Sequence, residues 1–222
     1  MNSYEGFRIP KLNLLYSRDW ISMSKRFYKH KLNPSFAGPT KESNWVIPKI
    51  LLVGGYPNSE NHIRLIQEAG IDTFICLNGV EKPNFYQYEV NLLPENFVHF
   101  PIEDMSIGTD SEIKQLCIVI IEKLLNGNKI YLHCSGGHGR VGTVASIILH
   151  ILYPALTVKQ IFDYIQFSHD HRDGNYFGPM YFTSNIEDKT LADCFAEGQV
   201  PSPQTTPQRN QVERIIADFS SA

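Results

Sequence analysis

The chain has 222 residues and a net charge of −3, with 42% apolar and 12% aromatic residues, so it holds enough apolar surface for one packed domain. The near-neutral balance excludes a broad basic face for nucleic acid, and four widely spaced cysteines, Cys76, Cys117, Cys134 and Cys194, exclude a disulfide scaffold or zinc ribbon. No apolar run reaches membrane-span length and Met1 to Glu5 lacks a signal-peptide pattern, so the expectation is a soluble, reduced, cytoplasmic protein with no transmembrane segment.

In chain order, residues 1–43 read as an N-terminal extension. It holds a basic and aromatic cluster, Lys25 to Lys31, and a loop from Asn33 to Thr40. The patterned part begins at Asn44. Lys49 to Gly55 is an apolar run stopped by glycines, which predicts a strand entering a turn. Ile63, Ile66 and Ala69 fall on one face of a helix from Asn61 that Gly70 closes. Asp72 to Leu77 and Phe97 to Ile102 predict two further strands. Ser111 to Asn126 carries an apolar stripe through Ile113, Leu116, Cys117, Ile120, Ile121 and Leu124, with Asp110 as the expected N-cap. Lys129 to His133 is a fourth strand, followed by helices over Val141–Leu152 and Thr157–Phe167. A stretch rich in proline, serine, threonine and glutamine, Val200 to Gln208, leads into a last helix, Thr206 to Phe219. Thr206-Pro207 is its expected cap and first turn. Strands alternating with helices predict an α/β fold: a central, mostly parallel sheet flanked by helices, in a single domain over residues 44–219.

The segment with chemistry in it is His133-Cys134-Ser135-Gly136-Gly137-His138-Gly139-Arg140. It leaves a buried strand and opens a buried helix, so its N–H groups converge at a helix N-terminus, where anions bind. The glycines let the backbone approach a tetrahedral oxyanion. A helix N-terminus favours the thiolate of Cys134, and Arg140 can hold two phosphate oxygens at once. A zinc site built from His133, Cys134 and His138 lacks distant partners and is disfavoured.

His-Cys-x5-Arg with Gly-x-Gly-Arg resembles the cysteine-dependent protein tyrosine and dual-specificity phosphatase superfamily. The wider set of Gly-Gly-His-Gly-Arg, His169-Asp170-His171-Arg172 and Pro-Gln-Thr is similar to its small atypical members. The resemblance runs from Asn44, with a tryptophan-bearing strand at Trp45, to Asp218. It implies a phosphatase acting through a phosphocysteine, with no cofactor and no metal. Its substrate would be a phosphorylated protein or a small phosphomonoester, phosphotyrosine first and phosphoserine/threonine second. Cys134 would be the nucleophile, and Ser135, Gly136, Gly137, His138, Gly139 and Arg140 the phosphate cradle. Asp104, in Pro101-Ile102-Glu103-Asp104, would be the general acid, with Glu103 and Asp110 as competitors. Gln204 first and Gln208 second would position the hydrolytic water, with His133 supporting the nucleophile. Cys76 is the one thiol considered as a redox partner for Cys134, against a plain core role.

Other readings stay open. His169 to Arg172 either complements a helix C-terminus or lends His171 or Arg172 to a substrate pocket. His138 either faces solvent or adds charge to the loop. The superfamily usually has a hydroxyl residue directly after the arginine, and here Val141 stands there. A charge-assisted bond lost at that point is worth about 1.5–3 kcal/mol, enough to slow phosphocysteine breakdown about ten- to a hundredfold; Thr143 is a possible replacement. The runner-up functions are a phosphate-binding pseudophosphatase and a phosphatase of inositol phosphates or phosphoinositides.

Overall fold

The computed structural model describes residues 36–79, 87–172 and 200–221. The Lys25–Lys31 cluster and Cys194 lie outside them. Five strands form one sheet in the order β1-β2-β5-β3-β4. They are β1 (Ser43–Ile47), β2 (Leu51–Gly54), β3 (Thr73–Asn78), β4 (Phe97–Ile102) and β5 (Ile130–His133). The pairs β2–β5, β5–β3 and β3–β4 are parallel, and only the edge strand β1 runs antiparallel, on β2. This is the expected mostly parallel α/β sheet. Trp45 sits in β1 with every residue of that strand buried.

Strand alternation assigns the two faces. Leu51, Val53, Ile75, Leu77, Ile130 and Leu132 point to the larger core, while Leu52, Phe74 and Tyr131 point to the smaller. The smaller core is covered by α1 (Glu60–Glu68), through Ile63 and Ile66. The larger is covered by α2 (Asp110–Leu125), α3 (Gly139–Leu152), α4 (Val158–His169) and α5 (Thr206–Ser221). Helix α3 lies in their midst, which is why its sequence is apolar all round. Phe36 packs edge-on against Tyr164 and Phe167, ring centroids 6.1 and 5.3 Å away. Among the described residues no helix is long and apolar enough to cross a membrane.

Three helix starts differ from expectation. Thr109, not Asp110, caps α2: its hydroxyl accepts from Glu112 N at 3.3 Å, and the Glu112 carboxylate accepts from Thr109 N at 3.2 Å. This reciprocal pair outcompetes a single aspartate cap, and Asp110 becomes the first helical residue. Helix α3 starts at Gly139, two residues before Val141, because Gly142 N already bonds His138 O at 3.1 Å. At α5 the cap is Thr205, whose hydroxyl accepts from Gln208 N at 3.3 Å; Thr206 is already helical. Gly70 and Gly127 end α1 and α2 at φ of 94° and 91°, as their placement predicts.

Candidate active site

The loop between β5 and α3 continues the sheet before it turns. Cys134 N donates to Gly54 O at 3.3 Å, and Tyr56 N donates to Ser135 O at 3.0 Å. The chain then bends back over Cys134, so that Gly137 N donates to its Sγ at 3.3 Å. Gly137 manages the bend at φ 75°, where a Cβ would overlap the Gly54 backbone. Cys134 is thereby fixed, 2% exposed, at the N-terminus of α3.

Above it lies a cavity of about 340 Å³. Cys134, Ser135, Gly136, His138, Gly139 and Arg140 line it from the loop, Asp104 and Met105 from the β4–α2 connection, and Gln204 and Gln208 from the start of α5. Three segments far apart in the chain therefore meet at one thiol. Gly137 lies behind the wall instead of in it. His133 is also outside the cavity: it is fully buried under Tyr88, whose hydroxyl is 2.5 Å from Nε2, and desolvation first, then His99 and Arg140, pull it down to about 3.

Arg140 reaches from the first turn of α3 to the ends of two strands. Its Nη1 donates to Ile102 O at 2.8 Å, and its Nη2 to Asp104 Oδ1 at 2.6 Å. The guanidinium is 3% exposed and the carboxylate 57%, so the pair spans the step from core to cavity mouth. Of the acid candidates, only Asp104 comes to the cavity. Asp110 is turned to α5, where Arg214 and Gln211 donate to it and hold its carboxyl below the usual range.

The glutamines divide their work. Gln208 Oε1 accepts from Gln204 N and Thr205 N at 3.2 and 3.1 Å, and its Nε2 donates to Ser106 O at 3.2 Å. It also presses on Gly139, where any Cβ would crowd its amide. Gln208 thus ties the β4–α2 connection to α5. Gln204, 6% exposed, keeps an Nε2 with no hydrogen-bond partner. That leaves Gln204 with the available donor.

Arg172 does neither of the things its sequence position offered. It does not line the cavity and is not a surface charge at a helix end. It is 5% exposed and grips the cysteine loop from behind: Nη1 donates to Gly136 O at 3.2 Å, Nη2 to Gly137 O at 2.8 Å, and Nε to Asn44 Oδ1 at 2.6 Å. His171 also misses the cavity, packing between Phe36 and Phe167. His138 is half-buried: its Nδ1 turns to His169 Nε2, 2.7 Å away, while the residue lines the cavity. With His133 under Tyr88, the two loop imidazoles are engaged by different partners. Val141 is 1% exposed in the core, and Thr143 cannot replace its missing hydroxyl, because Thr143 Oγ1 donates to Gly139 O at 3.0 Å. Cys76 is buried on β3 in register with His133, its thiol pushed up to about 11, by burial first. Cys117 is packed inside α2.

Residues 40–164 match the family described as Swiss Army Knife protein, DSP-PTPase phosphatase domain. A protein of Invertebrate iridescent virus 6 named for tyrosine phosphatase 197R is 29% identical over 163 residues, covering 68% of this chain and 58% of that one. A second, named for tyrosine phosphatase 067L of Invertebrate iridescent virus 3, is 30% identical over 125 residues, covering 54% and 51%. The chain therefore spans between half and three fifths of these relatives. Among solved structures, Tk-PTP in its active form superposes with a TM-score of 0.56 at 16% identity, covering 79% of this chain and 97% of that one. The human tyrosine phosphatase-like serine/threonine/tyrosine-interacting protein gives 0.55 at 14%, covering 81% and 99%. At such identities the structures show the shared fold.

Proposed function

The chain belongs to the Swiss Army Knife DSP-PTPase phosphatase domain family, and from that premise we propose that it hydrolyses phosphomonoesters, phosphotyrosine in proteins first, through a phosphocysteine. The observation that carries the reading is the convergence on one buried thiol: Gly137 N–H on Cys134 Sγ, the N-terminus of α3, Arg140, Asp104 and Gln204, all around a single cavity.

In the first step Cys134 Sγ attacks phosphorus, and the S–P bond forms as the P–O bond to the leaving group breaks. Loop N–H groups and Arg140 hold the three equatorial oxygens, where charge builds in the transition state. Asp104 gives its proton to the departing oxygen. In the second step Gln204 orients a water, Asp104 takes its proton, and the new P–O bond expels Cys134 as thiolate with inorganic phosphate. Among the described residues Arg140 is the one lysine or arginine lining the cavity, and Met105 and Ile107 on the acid loop, residues 103–109, are each 36% exposed. A single cation beside apolar side chains suits one phosphate on an aryl group better than a polyphosphorylated inositol. A reducing, cytoplasmic setting belongs to the same proposal, because the reaction needs a free thiol.

Release of phosphate from an aryl phosphate by the wild type and by Cys134→Ser tests this directly. The expected loss is on the order of 10⁵-fold; equal rates would leave a phosphate-binding pseudophosphatase. One observation favours that second reading: Val141 supplies no hydroxyl, and Thr143 is engaged elsewhere. A panel of phosphotyrosine peptides, phosphothreonine peptides and inositol phosphates ranks the substrates, with phosphotyrosine peptides expected first.

A further inference from the structure

Two imidazoles and a carboxylate stand in line behind the cavity wall. His138 Nδ1 lies 2.7 Å from His169 Nε2, and His169 Nδ1 lies 3.6 Å from Asp170 Oδ1. His169 is 1% exposed, and its Nδ1 has no hydrogen-bond partner. Asp170 Oδ1 also accepts from Gln166 Nε2 at 2.8 Å, which aims the carboxylate. At the other end, the Cδ2–Nε2 edge of His138 lies against Gly136, and both residues line the cavity. The line Asp170–His169–His138 therefore runs from the end of α4 to the phosphate cradle. The two-step reaction makes no use of it.

Electrostatics sets the tautomers along this line. The Asp170 carboxylate favours the proton on His169 Nδ1. His169 Nε2 is then a lone pair that accepts Nδ1–H of His138, which leaves His138 Nε2 bare at the cavity. Burial favours the neutral form of both rings in the free protein. His138 is pulled down to about 3 and His169 well below the ordinary histidine value, each by burial first and by Arg172 next. Among the described residues, the charged and titratable groups facing the pair are Cys134 and Arg140 from the loop, Asp104 across the cavity, and Asp170 and Arg172 from the end of α4. A bare lone pair beside a bound dianion is repulsive. A proton placed there becomes a charge-assisted donor.

We infer that His138 takes one proton from solvent at Nε2 whenever a tetrahedral dianion enters the cavity, and returns it when the anion leaves. As imidazolium it donates to the anion, His169 accepts its Nδ1–H, and Asp170 balances the charge. His138 is thus a proton-coupled anion ligand, with His169 and Asp170 as positioning residues. This rests on the reading of the cavity as an oxyanion site.

Sulfate is the probe, because it stays a dianion across the working range. The background is Cys134→Ser, which removes the ionisation of the thiol. The anion-bound state holds one proton more than the free state, so affinity must fall as pH rises. Calorimetric titration between pH 5.5 and 7.5 should show the dissociation constant rising about tenfold per pH unit. Adding His138→Gln should flatten this to less than about twofold per unit. A steep dependence that survives His138→Gln assigns the proton to Asp104 and overturns the inference, as does a flat one in the parent. A second readout does not depend on the variant folding: imidazole ¹⁵N spectra of the sulfate-saturated Cys134→Ser protein at pH 6. Nε2 of His138 should change from bare to protonated on sulfate addition, and no change overturns the inference. If sulfate binds at no pH, the oxyanion site itself fails, so the two failures are distinguishable.

Discussion

The cysteine loop and the acid loop meet at one cavity but are held there in opposite ways. Residues 134–139 are fixed from behind by the body of the domain. Gly54 O takes Cys134 N, Arg172 holds Gly136 O and Gly137 O, and Ser202 Oγ donates to His138 O at 2.9 Å. Residues 103–109 present Glu103, Asp104 and Met105 to solvent. What ties them down is the side chains of the site and of α5. Arg140 holds Asp104, Gln208 holds Ser106 O, and Gln211 Nε2 donates to Gly108 O at 2.6 Å. Cys134 is thus positioned by the fold, and the Asp104 loop by Gln211 and by two residues that also line the cavity, Arg140 and Gln208. Damage to the first should appear as lost stability, and damage to the second as lost chemistry on an intact fold.

Arg172 is the strongest test of the first half. Arg172→Met leaves Asn44 Oδ1 and Gly137 O buried without their donor, while Gly136 O, on an exposed residue, can turn to water. At roughly 1–3 kcal/mol for each of the two orphaned buried acceptors, the loss is about 4 kcal/mol, read by urea unfolding. Arg172→Lys keeps the charge but not the fork and should recover less than half of it. A Met variant as stable as the wild type would show that the loop holds its own shape.

Asp104→Asn tests the second half. Its carboxylate is largely exposed, so unfolding free energy should stay within about 1 kcal/mol of the wild type. Turnover of an alkyl phosphate, whose leaving group needs a proton, should fall on the order of 10³-fold. An aryl phosphate with an acidic leaving group should lose far less. Equal losses on both substrates would move Asp104 from the proton transfer to the anchoring of Arg140.

Acid should attack the two regions in sequence. His133 and His169, on the cysteine-loop side, are 0% and 1% exposed and held neutral, His133 near 3 and His169 well below the ordinary value, by burial first. In the unfolded chain both titrate near 6.5. Below that value the unfolded state binds more protons, so stability is full above it and declines as pH falls. From pH 7.5 to 5.5 each costs about 1.4 kcal/mol, about 3 kcal/mol for the pair. On the acid-loop side, Asp110 is held below the usual carboxyl range by Arg214 first, so that anchor survives to lower pH. Urea midpoints taken across this range check the order; a flat profile from pH 7.5 to 5.5 would mean that the buried imidazoles accept protons without strain.

The same contrast explains what could be read from the sequence. The cysteine loop is one contiguous segment between a strand and a helix, so Cys134, its glycines and Arg140 were legible from local pattern alone. Asp104, Gln204 and Gln208 needed the family resemblance, because they reach the cavity from two segments remote from the cysteine loop. Arg172 could not be placed at all: its partner Asn44 is 128 residues away, and no local period reports a contact of that kind. Tyr88 over His133 was hidden for the same reason, across 45 residues. The misplaced caps have a different origin. At Thr109-Asp110 and Thr205-Thr206 two adjacent residues are both good caps, and the winner is chosen by which hydroxyl reaches a helical N–H, at Glu112 and Gln208.

Val141 lies where the two halves join, and it gives the smallest and most informative change. It follows Arg140 on the first turn of α3 and is sealed in the core, so Cys134 Sγ receives Gly137 N–H but no hydroxyl from this position. Val141→Thr adds one donor at nearly constant volume. Burying that hydroxyl should cost about 1–2 kcal/mol of stability, and the new bond to the leaving thiolate should speed phosphocysteine breakdown about tenfold. Rapid-mixing measurements with an aryl phosphate separate the steps. The wild type should release a burst of aryl alcohol and then turn over slowly, and Val141→Thr should shrink the burst as the steady rate rises. A wild type without a burst would put the slow step at phosphoryl transfer, where Asp104 and its exposed loop set the rate and the fixed cysteine loop does not.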